Sequence, residues 1–253
     1  MVFLILIFSS IVHYAGLKLL NHLTLSIQGV VSVIGPKESV YTAVFIQLFT
    51  ALSISAVYGV WIAPYAHRGE RSVLTHVLPI NKIKFSICYV ICCSLLLLIN
   101  ALVMIGSFAG VFGISALEKA IFPWGLLLKA FAFQTLCLDV VMLGLALSSL
   151  IFGQVATFFI GGTSLFVLQI LGTVARLFRE STPPSLLSGK GLLVLIYEKL
   201  PPIGDFIFDF KEVMTGGKVT LEHISLWLVW LVILNLLFWF KVRYPSQARS
   251  TEA

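Results

Sequence analysis

Residues 85–117 run unbroken without a single Asp, Glu, Lys or Arg. No soluble fold hides such a run completely, and about 20 consecutive apolar residues already cross the hydrocarbon of a bilayer. The stretch is therefore read as a membrane span followed by a short outer turn. Residues 120–175 repeat the message, with Lys129 and Asp139 as their only charges. One helix cannot use that length, so the segment reads as a hairpin of two spans turning between Ser148 and Gln154. Barrel strands alternate over about ten residues, and these runs do not, so helices are the expected element.

Composition agrees. Only 11% of the 253 residues are charged and 59% are hydrophobic, against about 25% charged in soluble domains. The fold class expected is an all-α integral membrane protein with six transmembrane helices, forming one domain over 1–253. The spans are placed at about 2–20, 41–65, 85–110, 124–149, 154–175 and 224–240. Residues 1–8 lack the preceding positive residue and the following cleavage site of a signal peptide, so they are read as part of a retained span. The stretch 21–39 is semi-polar, broken by Gly35-Pro36-Lys37-Glu38. The segment 176–222 carries six basic and six acidic residues, yet its stretches 192–200 and 203–210 are mostly apolar. Short membrane-associated helices, lying on or dipping into the membrane face, are expected there between spans five and six.

The net charge is +6. Lys and Arg in the loops of a membrane protein account for it, and no basic stripe with interleaved aromatics points to nucleic acid. Six spans put both termini on one side. Counted over whole loops, Lys and Arg favour the termini outside. Their density in 67–84 and in the C-terminal tail favours the termini inside, so charge alone leaves both orientations open.

Few residues carry chemistry. Asp139 lies mid-span, where an ionisable group costs about 2.5–3.5 kcal/mol on insertion scales. It is either a contact of the translocation pathway or a buried hydrogen bond between helices. Lys129 is about 15 Å away along the same helix and cannot pair with it; it reaches the outer interface instead. The four cysteines, Cys88, Cys92, Cys93 and Cys137, all lie in apolar runs, where the thiol acts as a small apolar filler; the spacing of Cys88 and Cys92 also suits a soft metal. No His/Cys/Asp/Glu cluster has metal-ligand spacing. Gly189-Lys190 and Gly217-Lys218 fail the phosphate-loop pattern, since Pro184 and Glu212 stand where its first glycine belongs, and Gly191 and Val219 where Ser or Thr belongs. No catalytic, cofactor or metal residue is assigned. Gly162-Thr163-Ser164 offers a hydroxyl within span five, but an intramembrane serine protease needs a histidine beside it, and His223 is the nearest candidate. A secondary transporter would show paired intramembrane charges or repeated halves, which the sequence lacks. A six-span scaffold without an ATPase stays open.

The remaining feature is a compact charged break. His67-Arg68-Gly69-Glu70-Arg71 is followed by Ser72-Val73-Leu74-Thr75-His76-Val77-Leu78-Pro79-Ile80-Asn81-Lys82-Ile83-Lys84. A helix over 70–82 has charge at its head, a mixed apolar face and Pro79 near its end. With Glu70-Arg71, Thr75, Leu78-Pro79-Ile80-Asn81-Lys82 and then Lys84, the segment resembles the loop between spans two and three of permease subunits of the type-2 ABC transporter family. The Leu200-Pro201-Pro202-Ile203-Gly204 segment and the Phe240-Lys241-Val242-Arg243-Tyr244 exit match the family in kind. The motif likeness covers residues 70–84 and 200–244; elsewhere only the layout of spans agrees.

The resemblance implies a multi-pass subunit of a cell (inner or plasma) membrane exporter, with cytoplasmic termini, a cytoplasmic coupling loop over 66–84 and a re-entrant segment over 176–222 that folds back into the outer leaflet. Glu70, Arg71, Thr75, Leu78, Pro79 and Lys82 would couple it to the ATPase. ATP and Mg would be held by that separate nucleotide-binding subunit and not by this chain. A second permease, identical or related, would complete a dimer.

Overall fold

The computed structural model describes residues 2–22, 24–27, 30–33, 36–67, 82–118, 121–181, 200 and 202–243. In chain order these form α1 (Val2–His22), a hairpin of β1 (Thr24–Ile27) and β2 (Val30–Val33), α2 (Pro36–Val57), α3 (Lys82–Phe112), α4 (Trp124–Phe152), α5 (Gln154–Ser181), α6 (Phe206–Met214) and α7 (Leu221–Arg243). Among the described residues the regular structure is helical apart from that one antiparallel hairpin, in which Thr24 pairs with Val33 and Ile27 with Val30. The hairpin occupies the semi-polar stretch, where Thr, Ile and Val favour extended backbone.

Four helical stretches are long and apolar enough to span a membrane: Ser39–Ile62, Lys84–Phe112, Trp124–Phe152 and Leu221–Val242. They coincide with the second, third, fourth and sixth expected spans. The first expected span corresponds to α1, with a shorter apolar stretch over Leu6–Leu19, and the fifth to α5. Exposed apolar rows, such as Ile87, Ile91, Leu95, Leu98 and Leu102 on α3, and Val229, Val232, Leu236 and Phe240 on α7, are surfaces suited to lipid. A helix is the element that satisfies its own backbone there.

The helix ends follow local chemistry. The turn between α4 and α5 is a single residue, Gly153, at φ +88°, a conformation that glycine adopts without a Cβ penalty. α5 runs on through Arg176 and Arg179 to Ser181, into the stretch expected to have left the span. α2 passes into a π turn over Tyr58–Ile62, where the Ala63 amide donates to the Tyr58 carbonyl at 2.9 Å. A short 3₁₀ turn, Tyr65–His67, follows. Between expected spans five and six the described residues contain one short helix, α6.

The chain divides into two compact units. The first holds residues 1–55 and 94–135. Its core is Leu17 of α1, Ala43, Val44, Leu48 and Ile54 of α2, Leu97, Met104 and Phe108 of α3, and Leu127 of α4. An aromatic group closes one end: Phe122 lies 5.3 Å from Phe108 and 4.7 Å from Trp124, whose Nε1–H donates to the Leu117 carbonyl at 2.8 Å.

The second unit holds residues 56–93 and 136–253. Here the π turn packs closely on α4: a Cβ at Gly59 would stand 2.6 Å from the Met142 carbonyl oxygen and 3.1 Å from the Leu145 Cβ. Ser149 donates to the Val60 carbonyl at 2.8 Å. α3 and α7 are joined by Ser86 donating to Asn235 Oδ1 at 2.5 Å. α6 is tied to α7 by Asp209 and His223 at 2.8 Å, with Phe206 against Trp227 at 6.4 Å.

Backbone does not yield as a side chain does. Gly59→Ala is therefore expected to destabilise the protein by about 1–3 kcal/mol, as overpacking does. Gly106→Ala, which meets nothing within 4 Å, should leave stability unchanged or slightly raised. Thermal unfolding of the two variants in detergent checks the difference.

Candidate functional site

Among the described residues, the first unit holds a cluster of polar side chains inside its apolar helices. α1 buries Ser9, His13 and Leu17, spaced four residues apart and so on one face. α2 buries Gln47 and Thr50, and α3 buries Asn100. These five polar residues meet.

Asn100 is the hub. Its Nδ2 donates to Thr50 Oγ1 at 3.1 Å and to the Gln47 carbonyl at 3.3 Å. Its Oδ1 accepts from Ser9 Oγ and from Thr50 Oγ1, the latter at 3.2 Å. Thr50 Oγ1 also lies 3.0 Å from the Gln47 carbonyl and 3.1 Å from His13 Nε2. Thr50 has one hydroxyl proton and two lone pairs. The arrangement that satisfies most groups sends that proton to Gln47 O or Asn100 Oδ1, and lets Thr50 accept from Asn100 and from His13 Nε2–H. His13 is then the Nε2–H tautomer. Its Nδ1 has no partner, and neither does Gln47 Oε1. In hydrocarbon the alternative to these bonds is an unsatisfied polar group, so the cluster ties α1, α2 and α3 together.

The residues singled out from sequence fall elsewhere. Glu70, Arg71, Thr75, Leu78 and Pro79 lie outside the described residues, and Lys82 is the first residue of α3. The described residue on the N-terminal side of the break, His67, sits in a three-ring socket of the second unit. Its ring is edge-on to Phe85, Tyr89 and Phe238 at 5.8–5.9 Å, and its Nε2 lies 3.3 Å from the Tyr89 hydroxyl. The start of the break is thus held between α3 and α7. Asp139 is buried in α4, 4% exposed, and Lys129 is exposed.

Ser164 lies on an exposed patch of α5 with Phe159, Ile160, Thr163 and Val167, beside a shallow 580 Å³ groove. His223 turns its Nδ1 to Asp209. Among the described residues no group of three or more His, Cys, Asp or Glu is placed to hold a metal ion.

Charge, the property that drew attention to Asp139 and to the break, does not mark the neutral polar cluster. Its signal was present all the same: His13, Gln47 and Asn100 each interrupt an apolar run, and neutral polar side chains in membrane helices bond across helices.

The described residues are mainly helical, with four stretches long and apolar enough to span a membrane and a buried polar cluster in the first unit. No family model, curated protein or solved structure matches the chain.

Asn100→Leu removes at once the bonds to Ser9, Thr50 and the Gln47 carbonyl. It is expected to lower stability by about 1–2 kcal/mol, the upper range for hydrogen bonds between membrane helices. Ser53→Ala, at an exposed hydroxyl bonded to the Phe49 carbonyl, should change little. Unfolding in detergent or nanodiscs gives the comparison.

Proposed function

We propose that the chain is the six-span permease subunit of an ATP-driven exporter of the type-2 ABC kind. A separate nucleotide-binding subunit would supply the ATP hydrolysis. α1 and α5 are the remaining two spans in this reading, and a second permease completes the assembly. Residues 70–82 act as the coupling helix, with Glu70, Arg71, Thr75, Leu78, Pro79 and Lys82 facing the ATPase. The break lies on the cytoplasmic side of a cell membrane.

The observation that supports this most is positional. The charged break falls between two span-grade helical stretches, Ser39–Ile62 and Lys84–Phe112, and its N-terminal flank is anchored by His67 against both α3 and α7. A push on the break has a mechanical route into two helices. ATP-driven transport needs such a route, because work done in a partner must change the relative stability of the permease's two states. The buried polar cluster supports a working interior as well, since polar groups inside the membrane are expensive to keep.

Replacing Glu70 and Arg71 together by Ala is expected to leave the subunit in the membrane and to lower cargo-stimulated ATP hydrolysis of the assembled complex. A loss of about 5- to 150-fold matches the usual size of a coupling free energy. Full stimulation and transport in the double variant would refute the coupling role.

A further inference from the structure

A cluster of thiols and phenols lies near the N-terminal end of α3, within the second unit. Cys88 and Cys92 stand one turn apart on one face of α3, and their thiols share a hydrogen bond. The hydroxyl of Tyr58, the first residue of the π turn after α2, hydrogen-bonds Cys92. Tyr89 lies near both thiols, and its own hydroxyl is 3.3 Å from His67 Nε2. Cys88 is exposed and Cys92 half-buried, whereas Cys93 and Cys137 are buried. The pair is therefore reachable from outside the helix packing.

Side chains one helical turn apart have Cβ atoms about 5–6 Å apart. A disulfide needs about 3.5–4.5 Å, so the helix keeps these thiols from oxidising to each other without distortion. Two metal–sulfur bonds of about 2.3 Å each would place the sulfurs about 4.6 Å apart, which the same spacing permits. Thiolates select soft cations such as Cu(I). Zinc closes a structural site with four ligands, and among the described residues no third His, Cys, Asp or Glu joins the pair. Two sulfurs in line complete the shell of monovalent copper. Its binding breaks two S–H bonds, forms two Cu–S bonds and releases two protons to water, with no electron transferred. The complex carries one negative charge. Lys84, exposed one turn before Cys88 on the same face, supplies the opposite charge that such a site needs.

We propose that Cys88 and Cys92 form a two-coordinate binding site for a soft monovalent cation of the Cu(I) class, with Tyr58 holding the Cys92 sulfur in place. A hydrogen bond to a metal ligand orients that ligand, and the Tyr58 hydroxyl is placed to give one. The site lies toward the Lys82 end of α3, one residue from Tyr89 and its contact with His67 at the edge of the charged break. It goes beyond the permease reading and needs no ATPase, so the two can fail separately.

The test titrates the full chain in nanodiscs with Cu(I), without oxygen and in competition with bicinchoninate. One copper per chain is expected. Cys88→Ser and Cys92→Ser should each weaken binding by about 100-fold or more and Tyr58→Phe by about 10- to 100-fold, while Cys137→Ala keeps the full affinity. Because two protons leave, raising the pH by one unit should strengthen apparent binding by up to about 100-fold. Full affinity in Cys88→Ser and Cys92→Ser overturns the site. Displacement of Cu(I) by an equal concentration of Zn(II) overturns the two-coordinate assignment. The unsubstituted chain guards against misfolded variants: one equivalent of Cu(I) is expected to slow the modification of Cys88 by N-ethylmaleimide about tenfold or more, and an unchanged rate contradicts the proposal.

Discussion

Hydrocarbon offers no hydrogen-bond partner, and that constraint shapes the structure at every level. It selects helices for the apolar runs, since a helix closes its own backbone bonds. It allows the α4–α5 connection to shrink to Gly153, where the chain reverses at φ +88°. It draws the neutral polar side chains inward until they find one another, as Ser9, His13, Thr50 and Asn100 do. The same constraint makes each buried polar atom without a partner informative, because nothing in a lipid can stand in for the missing bond.

The helices were legible in the sequence because their signal is cumulative. The charge-free run over 85–117 outweighs any local propensity, and α3 and α4 lie where the runs said. Boundaries were less legible. α5 continues through Arg176 and Arg179 to Ser181, since Leu, Phe and Arg are good or tolerable helix residues and charge alone does not end a helix. The hairpin over Thr24–Ile27 and Val30–Val33 rests on two four-residue segments, too short for periodicity to separate from loop.

The polar cluster was harder to see for a physical reason. A carboxamide or a hydroxyl inside a span is tolerated when another helix supplies its partner, so the sequence carries only isolated polar letters. Their convergence is tertiary: Gln47 and Asn100 are 53 positions apart and Ser9 and Asn100 are 91 apart. Asp139 drew attention because it is charged, and it is buried. The neutral residues of the first unit form a bonded network that charge does not mark. His67 is a similar case. Its place at the edge of the charged break was plain, but the rings around it come from Phe85, Tyr89 and Phe238, the last of them near the far end of the chain.

In the proposed reading the charged break, flanked by an anchored histidine, is where a soluble partner would act on the membrane helices, while the buried polar cluster ties α1, α2 and α3 together. Purifying the full chain from its own membrane in mild detergent tests the central claim most directly. The permease reading predicts a stable complex with a soluble subunit that hydrolyses ATP, and hydrolysis that depends on the permease being present. A homogeneous, properly folded preparation with no bound ATPase would contradict it and leave a scaffold as the better description.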